Sequence, residues 1–388
     1  MESEGALAGL VVAVKDNIEV MGRRVTAGTR AHQAPVARRD APCVAKLLEQ
    51  GARLIGTTNL HALAYGATGL SSDWGVPTNP EAPGCIPGGS SSGSATAVSE
   101  KSADLTLGTD TGGSIRTPAA LCGVVGFKPT FGHVQTAGVH PLGASLDHIG
   151  PLARDVTTVA LGYDVLVGAP VGTSLSDEVV GVLSIGVLRG YFSDLITPEV
   201  REAFEHMLDR LVEAGVELSE VELPMARHAP AAQLMTLSVE ALRSNLVTLR
   251  ERADRLPADV RIRLEAGLGR DEAGYEIAQQ WRAGWRKELA RALDRHHVLL
   301  SPTVLAPPPR LDEEVLAVDG QELEAQFAAT RLTMPFNLSG NPALTIPFRR
   351  DAGALAIGLQ IVGRHGADTE VLRIGGHLER VLQVPARR

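Results

Sequence analysis

Two clusters of glycine and serine and one lysine in an apolar segment are the residues of this chain best suited to chemistry. They lie in the segments Val11-Val12-Ala13-Val14-Lys15-Asp16-Asn17, Pro87-Gly88-Gly89-Ser90-Ser91-Ser92-Gly93-Ser94 and Gly108-Thr109-Asp110-Thr111-Gly112-Gly113-Ser114-Ile115-Arg116. Glycine lets backbone N–H groups approach a ligand closely, and a serine beside such amides can act as a nucleophile. Two serines and a buried lysine suffice for acyl transfer without histidine, as a variant of the serine triad.

Ser114 is the candidate nucleophile. Gly112 and Gly113 precede it and leave a turn with little side-chain cover, so that consecutive N–H groups could face one spot. Such amides stabilise the oxyanion of a tetrahedral intermediate. Thr-Gly-Gly-Ser alone would favour a structural turn, but its combination with Lys15 and a second serine cluster favours catalysis.

Lys15 is the candidate base because it ends an apolar strand, where α/β proteins usually form their sites. Burial would disfavour its charged form and let it accept a proton near neutral pH. A salt-bridged lysine at a strand end is the alternative. One serine of the run Ser90-Ser91-Ser92 would relay a proton between Lys15 and Ser114, while another caps the following helix. The residues alone leave the choice among the three open.

The hydrophobic pattern alternates strands and helices, which is typical of an α/β fold with a largely parallel sheet. Residues 229–296 are mostly helical in pattern and predict a wall that covers the substrate. The predicted strands are 10–14, 53–57, 104–108, 124–128, 183–188, 298–301, 343–347 and 356–362, and the further helices are 42–50, 91–100, 155–167, 198–214 and 369–381.

Composition excludes several classes of protein. The net charge is −8 over 388 residues and the basic residues are scattered, which argues against a nucleic-acid ligand. No apolar run reaches membrane-spanning length, and the N-terminus lacks the pattern of a signal peptide. Three cysteines without paired or metal-ligand spacing fit a reducing compartment. We therefore expect a soluble cytoplasmic protein with no metal, cofactor, nucleic-acid or membrane partner.

Several further segments, taken with the clusters above, resemble those of the amidase signature enzymes in order and spacing. They are Gly56-Thr57-Thr58-Asn59, Pro77-Thr78-Asn79-Pro80, Cys122-Gly123-Val124-Val125-Gly126-Phe127-Lys128-Pro129-Thr130, Ser145-Leu146-Asp147-His148-Ile149-Gly150-Pro151 and Asn337-Leu338-Ser339-Gly340-Asn341-Pro342-Ala343. The resemblance spans residues 10 to about 380 and is densest before residue 155.

The resemblance implies hydrolysis of a carboxamide by a Ser–cisSer–Lys triad. Ser114 would be the nucleophile, Ser90 the bridging serine after a cis peptide bond, and Lys15 the terminal base. The oxyanion would rest on the backbone N–H groups of Thr111, Gly112, Gly113 and Ser114.

Other roles follow from the same resemblance. Ser91 and Thr109 would support the triad through hydrogen bonds, and Ala64 and Tyr65 would line the acyl side of the substrate pocket. Arg116, next to the nucleophile, would either bind a substrate carboxylate or form a structural ion pair.

The implied fold is one large α/β domain over residues 1–388, with a mixed, mostly parallel central sheet flanked by helices on both faces. Its catalytic core would cover about 10–155, its helical wall about 229–296, and its last strands and helix about 297–382. The expected partner is a small-molecule amide. Most relatives carry a longer segment before the lysine, which often contributes to dimerisation, so a homodimer stays open.

One alternative within the family is the glutaminase component of a tRNA-dependent glutamine amidotransferase, its A-type subunit, which uses the same triad to release ammonia from glutamine. That component typically has an acidic pair after its Gly-x-x-Asn segment. This chain has His61-Ala62-Leu63-Ala64 there, which weakens the glutaminase interpretation.

Two further alternatives are weaker. Gly89-Ser90-Ser91-Ser92-Gly93 matches the G-x-S-x-G elbow of an esterase with Ser91 as nucleophile, but a proline-broken loop precedes it instead of a strand. A catalytically inactive binding protein on the same fold is disfavoured because all three triad residues are retained.

Overall fold

The computed structural model describes residues 5–170, 172–175, 183–349 and 354–383. Its strands are β1 Val11–Lys15, β2 Arg53–Thr58, β3 Leu105–Asp110, β4 Val125–Lys128, β5 His148–Ala153, β6 Ser184–Leu188, β7 Glu217–Val221, β8 Val298–Pro302, β9 Val315–Val318, β10 Gln321–Glu324, β11 Ala343–Phe348 and β12 Ile357–Gly363. Its α-helices are α1 Pro42–Glu49, α2 Ser92–Ser99, α3 Arg116–Leu121, α4 Val156–Val167, α5 Pro198–Glu213, α6 Ala229–Arg252, α7 Ala258–Glu265, α8 Glu272–Leu293, α9 Ala325–Ala328, α10 Met334–Ser339 and α11 Asp368–Gln383.

One ten-stranded sheet runs through the described residues in the order β2-β1-β3-β5-β4-β11-β12-β8-β6-β7. The pairs β2-β1, β1-β3, β8-β6 and β6-β7 are parallel. The five pairings between β3 and β8, through the middle of the sheet, are antiparallel. The predicted mixed α/β sheet is confirmed, with its parallel strands gathered in two groups of three at the ends.

Helices cover both faces of the sheet, as predicted. One layer consists of four helices, in which α1 packs on α4, α4 packs on α11, and α11 packs on α5. α2 contacts β1, β2 and β3, whereas α3 contacts β4, β11 and β12. Among the described residues, none of the helices combines the length and the apolar composition that crossing a bilayer requires.

The long elements predicted from periodicity are present, because apolar stripes and local caps set them. Asp155 accepts a hydrogen bond from Thr158 N (2.7 Å) at the start of α4, and Gly168 ends that helix in the left-handed conformation. The pattern did not indicate β5, because Gly150 and Pro151 interrupt it. The strand β7, the β9-β10 hairpin and the short helices α3, α9 and α10 were also not predicted.

The fold brings the chemistry-bearing segments together at one edge of the sheet. β1 and β3 are parallel neighbours, and they end at Lys15 and Asp110. The loop that carries Ser114 follows β3 directly, and the serine cluster precedes α2, which contacts both strands. In the helical wall, α6 and α8 pack on α10, and α7 packs on α6.

Candidate active site

The side chain of Lys15 is fully buried and surrounded by hydroxyl groups. Its Nζ lies 2.8 Å from Ser90 Oγ, 3.0 Å from Ser91 Oγ and 2.8 Å from Thr109 Oγ1. Asn17 Nδ2 donates to the same Thr109 hydroxyl at 3.1 Å. The structure therefore brings Lys15 into one hydrogen-bonded cluster with Ser90, Ser91 and Thr109.

Burial lowers the pKa of Lys15 from its ordinary value of 10.5 to about 7. The carboxylates of Asp110 and Asp147 oppose this shift, because a nearby negative charge favours the ammonium form. A substantial fraction of the amine is thus uncharged near neutral pH, and an uncharged amine has a lone pair that can accept a proton.

The serine cluster lies at the start of α2. The Gly89–Ser90 peptide bond is cis, as the resemblance implied, and the Ser90 side chain is fully buried. Ser91 donates its hydroxyl hydrogen to Thr109 O at 3.1 Å, so its oxygen is left to accept a hydrogen bond from Lys15. The two serines therefore differ, since only the Ser90 hydroxyl hydrogen is free to point at Lys15.

The backbone of Ser114 contacts this cluster. Ser91 N donates to Ser114 O at 3.1 Å, and the Ser114 residue is 7% exposed. Within the part of the chain that the structure describes, the Ser114 hydroxyl makes no hydrogen bond, and it makes none to Ser90. The Ser114 backbone is thus in contact with the serine cluster, and no described residue engages its hydroxyl.

The loop after β3 leaves three backbone amides free. The Asp110 carboxylate accepts hydrogen bonds from Gly113 N at 2.8 Å and from Ile115 N at 3.1 Å. Gly113 N–H is therefore occupied, which corrects its assignment to the oxyanion site. The N–H groups of Thr111, Gly112 and Ser114 have no acceptor among the described residues.

Each of these three amides belongs to a peptide whose carbonyl accepts a hydrogen bond. The donor and acceptor pairs are Asn337 Nδ2 to Asp110 O (3.0 Å), Gln233 Nε2 to Thr111 O (3.1 Å) and Thr117 N to Gly113 O (2.7 Å). In a trans peptide the N–H points away from the C=O, so a fixed carbonyl also fixes the direction of the amide. The free amides are held in place before any ligand arrives.

Arg116 does not face a ligand, which corrects the expectation that it binds a substrate carboxylate. Its side chain is fully buried and forms a two-point ion pair with Asp110, with Nε and Nη2 at 3.0 and 2.9 Å. Its remaining hydrogens go to Thr333 O, Gln360 Oε1 and Asn337 Oδ1. All five guanidinium N–H groups are thus engaged, and the ion-pair alternative is the one observed.

Ala64 and Tyr65 lie in a short buried turn with positive φ at Leu63 (54°) and Ala64 (57°). Ala64 borders the same small cavity as Thr109 and Thr111. Its place on the acyl side of a substrate pocket stays a prediction. The Tyr65 ring instead lies under the guanidinium of Arg263 from α7, at 5.7 Å.

Gln233, Thr333 and Asp147 also support the loop, and no role was predicted for them. Thr333 Oγ1 donates to Gly112 O at 2.7 Å, and the Asp147 carboxylate accepts from Thr111 Oγ1 at 2.6 Å. Burial raises the pKa of Asp147 to about 6. Asp147 lies in a segment that carries the family resemblance, which could have marked it. Gln233 lies in a helix whose pattern gives no such signal.

Thiol and metal chemistry have little support among the described residues. Cys122 is fully buried, and burial raises the pKa of its thiol, which disfavours the nucleophilic thiolate. Within the described ranges, no group of three or more His, Cys, Asp or Glu side chains could hold a metal ion.

Comparison with known proteins gives a consistent family. A family model described as Amidase matches residues 1–372. The A-type subunit of the glutamyl-tRNA(Gln) amidotransferase from Geobacter sp. strain M21 is 34% identical over 414 aligned positions, covering 97% of this chain and 84% of that protein. A crystal structure of an amidase has a TM-score of 0.92 at 38% identity, covering 97% of this chain and 86% of that one. The corresponding A-type subunit from Thermotoga maritima has a TM-score of 0.79 at 29% identity, covering 96% and 83%.

Proposed function

This chain belongs to the amidase signature family, and from that premise we propose that it hydrolyses a small carboxamide through an acyl-enzyme on Ser114. The observation that carries the proposal is the buried contact of 2.8 Å between Lys15 Nζ and Ser90 Oγ. A lysine with a pKa of about 7 in that position is a base matched to neutral pH. The proposed products are a carboxylic acid and ammonia or an amine.

In the first half-reaction, the uncharged Lys15 amine takes the hydroxyl proton of Ser90 while Ser90 takes that of Ser114. The Ser114 oxygen forms a bond to the amide carbonyl carbon, and the carbonyl electron pair moves onto oxygen. The N–H groups of Thr111, Gly112 and Ser114 would donate to this oxyanion. Because their carbonyls are already fixed, little reorganisation is needed as the negative charge develops.

Collapse of the tetrahedral intermediate breaks the C–N bond and re-forms the carbonyl. The Lys15 ammonium returns its proton through Ser90 to the departing nitrogen, which leaves as ammonia or an amine. A water molecule then attacks the acyl-enzyme and gives its proton through Ser90 to Lys15. Collapse of this second intermediate breaks the bond from the acyl carbon to the Ser114 oxygen, which receives the proton back from the Lys15 ammonium through Ser90 as the acid leaves. Protons and electron pairs balance without any cofactor.

The mechanism requires one contact that is not formed in this structure, between the hydroxyls of Ser90 and Ser114. Catalytic hydrogen bonds are often long or poorly aligned without substrate and tighten in the complex. Since the Ser114 hydroxyl is unengaged, rotation about its Cα–Cβ bond breaks no existing hydrogen bond.

An ammonia-release assay over a panel of aliphatic, aryl and urea-derived amides tests the proposal, with Ser114→Ala as the matched control. We expect at least one amide to be hydrolysed by the native protein and not by the variant. Equal hydrolysis of every amide by both proteins would remove Ser114 from the proposed mechanism.

A second candidate is the glutaminase function of an amidotransferase A-type subunit, because curated relatives bearing that name cover most of this chain. Against it, His61 and Ala62 stand where such glutaminases typically have an acidic pair. The Nε2 atom of His61 lies 3.1 Å from Asp259 Oδ2, so this position is engaged with the helical wall. Release of ammonia from L-glutamine, and copurification with a B-type subunit, would favour this second function.

A further inference from the structure

A second cleft lies where β6 and β7 end, outside the cluster around Lys15. It has a volume of about 510 Å³. Its charged and aromatic lining consists of Arg189, Tyr191, Asp194, Glu222, Arg227 and Arg331. β8, β6 and β7 form the second parallel group of the sheet, and the carboxyl ends of parallel strands are common ligand sites.

Arg331 is the cleft residue with the most unusual surroundings. It is only 6% exposed, and it forms no ion pair with any described carboxylate. Its Nη1 donates only to backbone carbonyls, those of Tyr191 (2.5 Å) and Asp194 (3.4 Å). The guanidinium lies over the Tyr191 ring at 4.0 Å. Its Nε and Nη2 have no acceptor among the described residues, and they are not sealed in the interior. The charged Nε–Nη2 edge of Arg331 thus faces the cleft, where the nearby Asp194 carboxylate favours the charge without forming an ion pair with it.

The other two arginines of the cleft differ in whether a carboxylate pairs with them. Arg189 is neutralised by Glu205 and Glu220, whose carboxylates it contacts directly. Arg227 donates its Nε to Pro224 O at 3.0 Å and, within the described ranges, has no carboxylate partner. Two unpaired guanidinium groups, one buried and one exposed, therefore line the cleft.

We propose that this cleft binds the carboxylate of a small molecule, with Arg331 as its principal ligand. The free edge of a guanidinium offers parallel N–H donors that match the two oxygens of a carboxylate. Asp194 and Glu222 line the same cleft and would repel a ligand with several negative charges. The expected class is therefore a monocarboxylate, held in the plane of the guanidinium at the Nε–Nη2 edge of Arg331.

Arg331 is also linked to the candidate active site. Thr333, two residues further on, donates to Gly112 O at 2.7 Å, beside the free amides. Since two residues of extended chain span at most about 7 Å, the Cα atoms of Arg331 and Thr333 are no farther apart than that. The carboxylate could thus belong to the amide substrate itself or to a separate molecule, and the interaction with Arg331 is the same in both cases. Only the first source rests on the proposed function.

Binding is tested by calorimetric titration of the folded protein with sodium butyrate, with neutral butyramide at matched ionic strength as the control ligand. We expect Arg331→Gln to weaken butyrate binding at least about tenfold, as for a lost hydrogen bond to a charged group. Arg227→Glu should also weaken it several-fold. Arg39→Gln, an exposed change outside the cleft, should leave it unchanged.

Kinetics identify the source of the carboxylate. If it belongs to the substrate, Arg331→Gln raises the KM for succinamate about tenfold and leaves the KM for butyramide unchanged. If it belongs to a separate molecule, butyrate binding depends on Arg331 and neither KM changes. A folded Arg331→Gln with native butyrate affinity and native KM values overturns the proposal. Should that variant not fold, unchanged butyrate binding by Arg227→Glu overturns it. The titration needs no turnover, so an inactive protein would refute the proposed function alone.

Discussion

Asp110 and Arg116 form a fully buried ion pair that spans the loop carrying Ser114. The Asp110 carboxylate also accepts hydrogen bonds from the loop amides of Gly113 and Ile115. The neighbouring Arg116 guanidinium holds the pKa of Asp110 well below its usual range. The loop is therefore closed around a carboxylate that stays ionised throughout the neutral range, which fixes the backbone from residue 110 to residue 116.

We expect Arg116→Met to destabilise the protein by about 3–5 kcal/mol, because it leaves the buried Asp110 charge without its partner. Chemical unfolding followed by circular dichroism measures the change. Arg243→Ala, which breaks an exposed ion pair with Glu272, serves as the control and should cost about 1 kcal/mol or less. Equal losses in the two variants would contradict the structural role given to Arg116.

Ser114→Ala should lower kcat by roughly 10³-fold or more while the unfolding free energy changes little. The Ser114 hydroxyl makes no hydrogen bond to any described residue, so its removal leaves no buried group unpaired. Ser92→Ala is the matched control in the same serine cluster. Its hydroxyl is buried without a partner, so we expect full activity and equal or greater stability. Full activity in Ser114→Ala would assign the chemistry to another residue.

Much of the candidate site was predictable because glycine and serine runs are informative in themselves. Lys15 at the end of an apolar strand and the turn around Ser114 both follow from local sequence, and the structure joins them through parallel strands. The choice of Ser90 over Ser91 rested on the family resemblance alone. In the structure, the bond from the Ser91 hydroxyl to Thr109 O distinguishes the two serines.

The contacts that were not predictable are those between segments far apart in the chain. Gln233 lies 122 residues from Thr111, and Asn337 lies 227 residues from Asp110. Which helix residue reaches which carbonyl depends on how the wall packs on the sheet, and periodicity does not encode that. The occupied amide of Gly113 has a different, local origin, because its acceptor is the carboxylate of Asp110 three residues earlier.

Activity should depend on the ionisation of Lys15. For a neutral amide, kcat/KM should rise with pH through about 7 and then level off, because only the uncharged amine can accept the proton. The Asp147 carboxylate raises the pKa of Lys15, so Asp147→Asn should move the rise to lower pH. A pH–rate profile of both proteins measures this. A shift to higher pH, or no inflection near neutrality in the native protein, would argue against Lys15 as the base.

Gln233 should act on the rate and not on substrate affinity. Its Nε2 donates a hydrogen bond to Thr111 O at 3.1 Å. This carbonyl and the Gly112 N–H belong to the same peptide group, so the bond fixes the direction of that free amide. Gln233→Leu keeps the size of the side chain and removes this donor, so we expect kcat to fall about tenfold with KM nearly unchanged. Leu234→Ala, an exposed change at the next position of α6, should leave both constants as in the native protein. A fall confined to unfolding free energy, or a rise in KM alone, would mean that Gln233 packs the wall and does not position the amide.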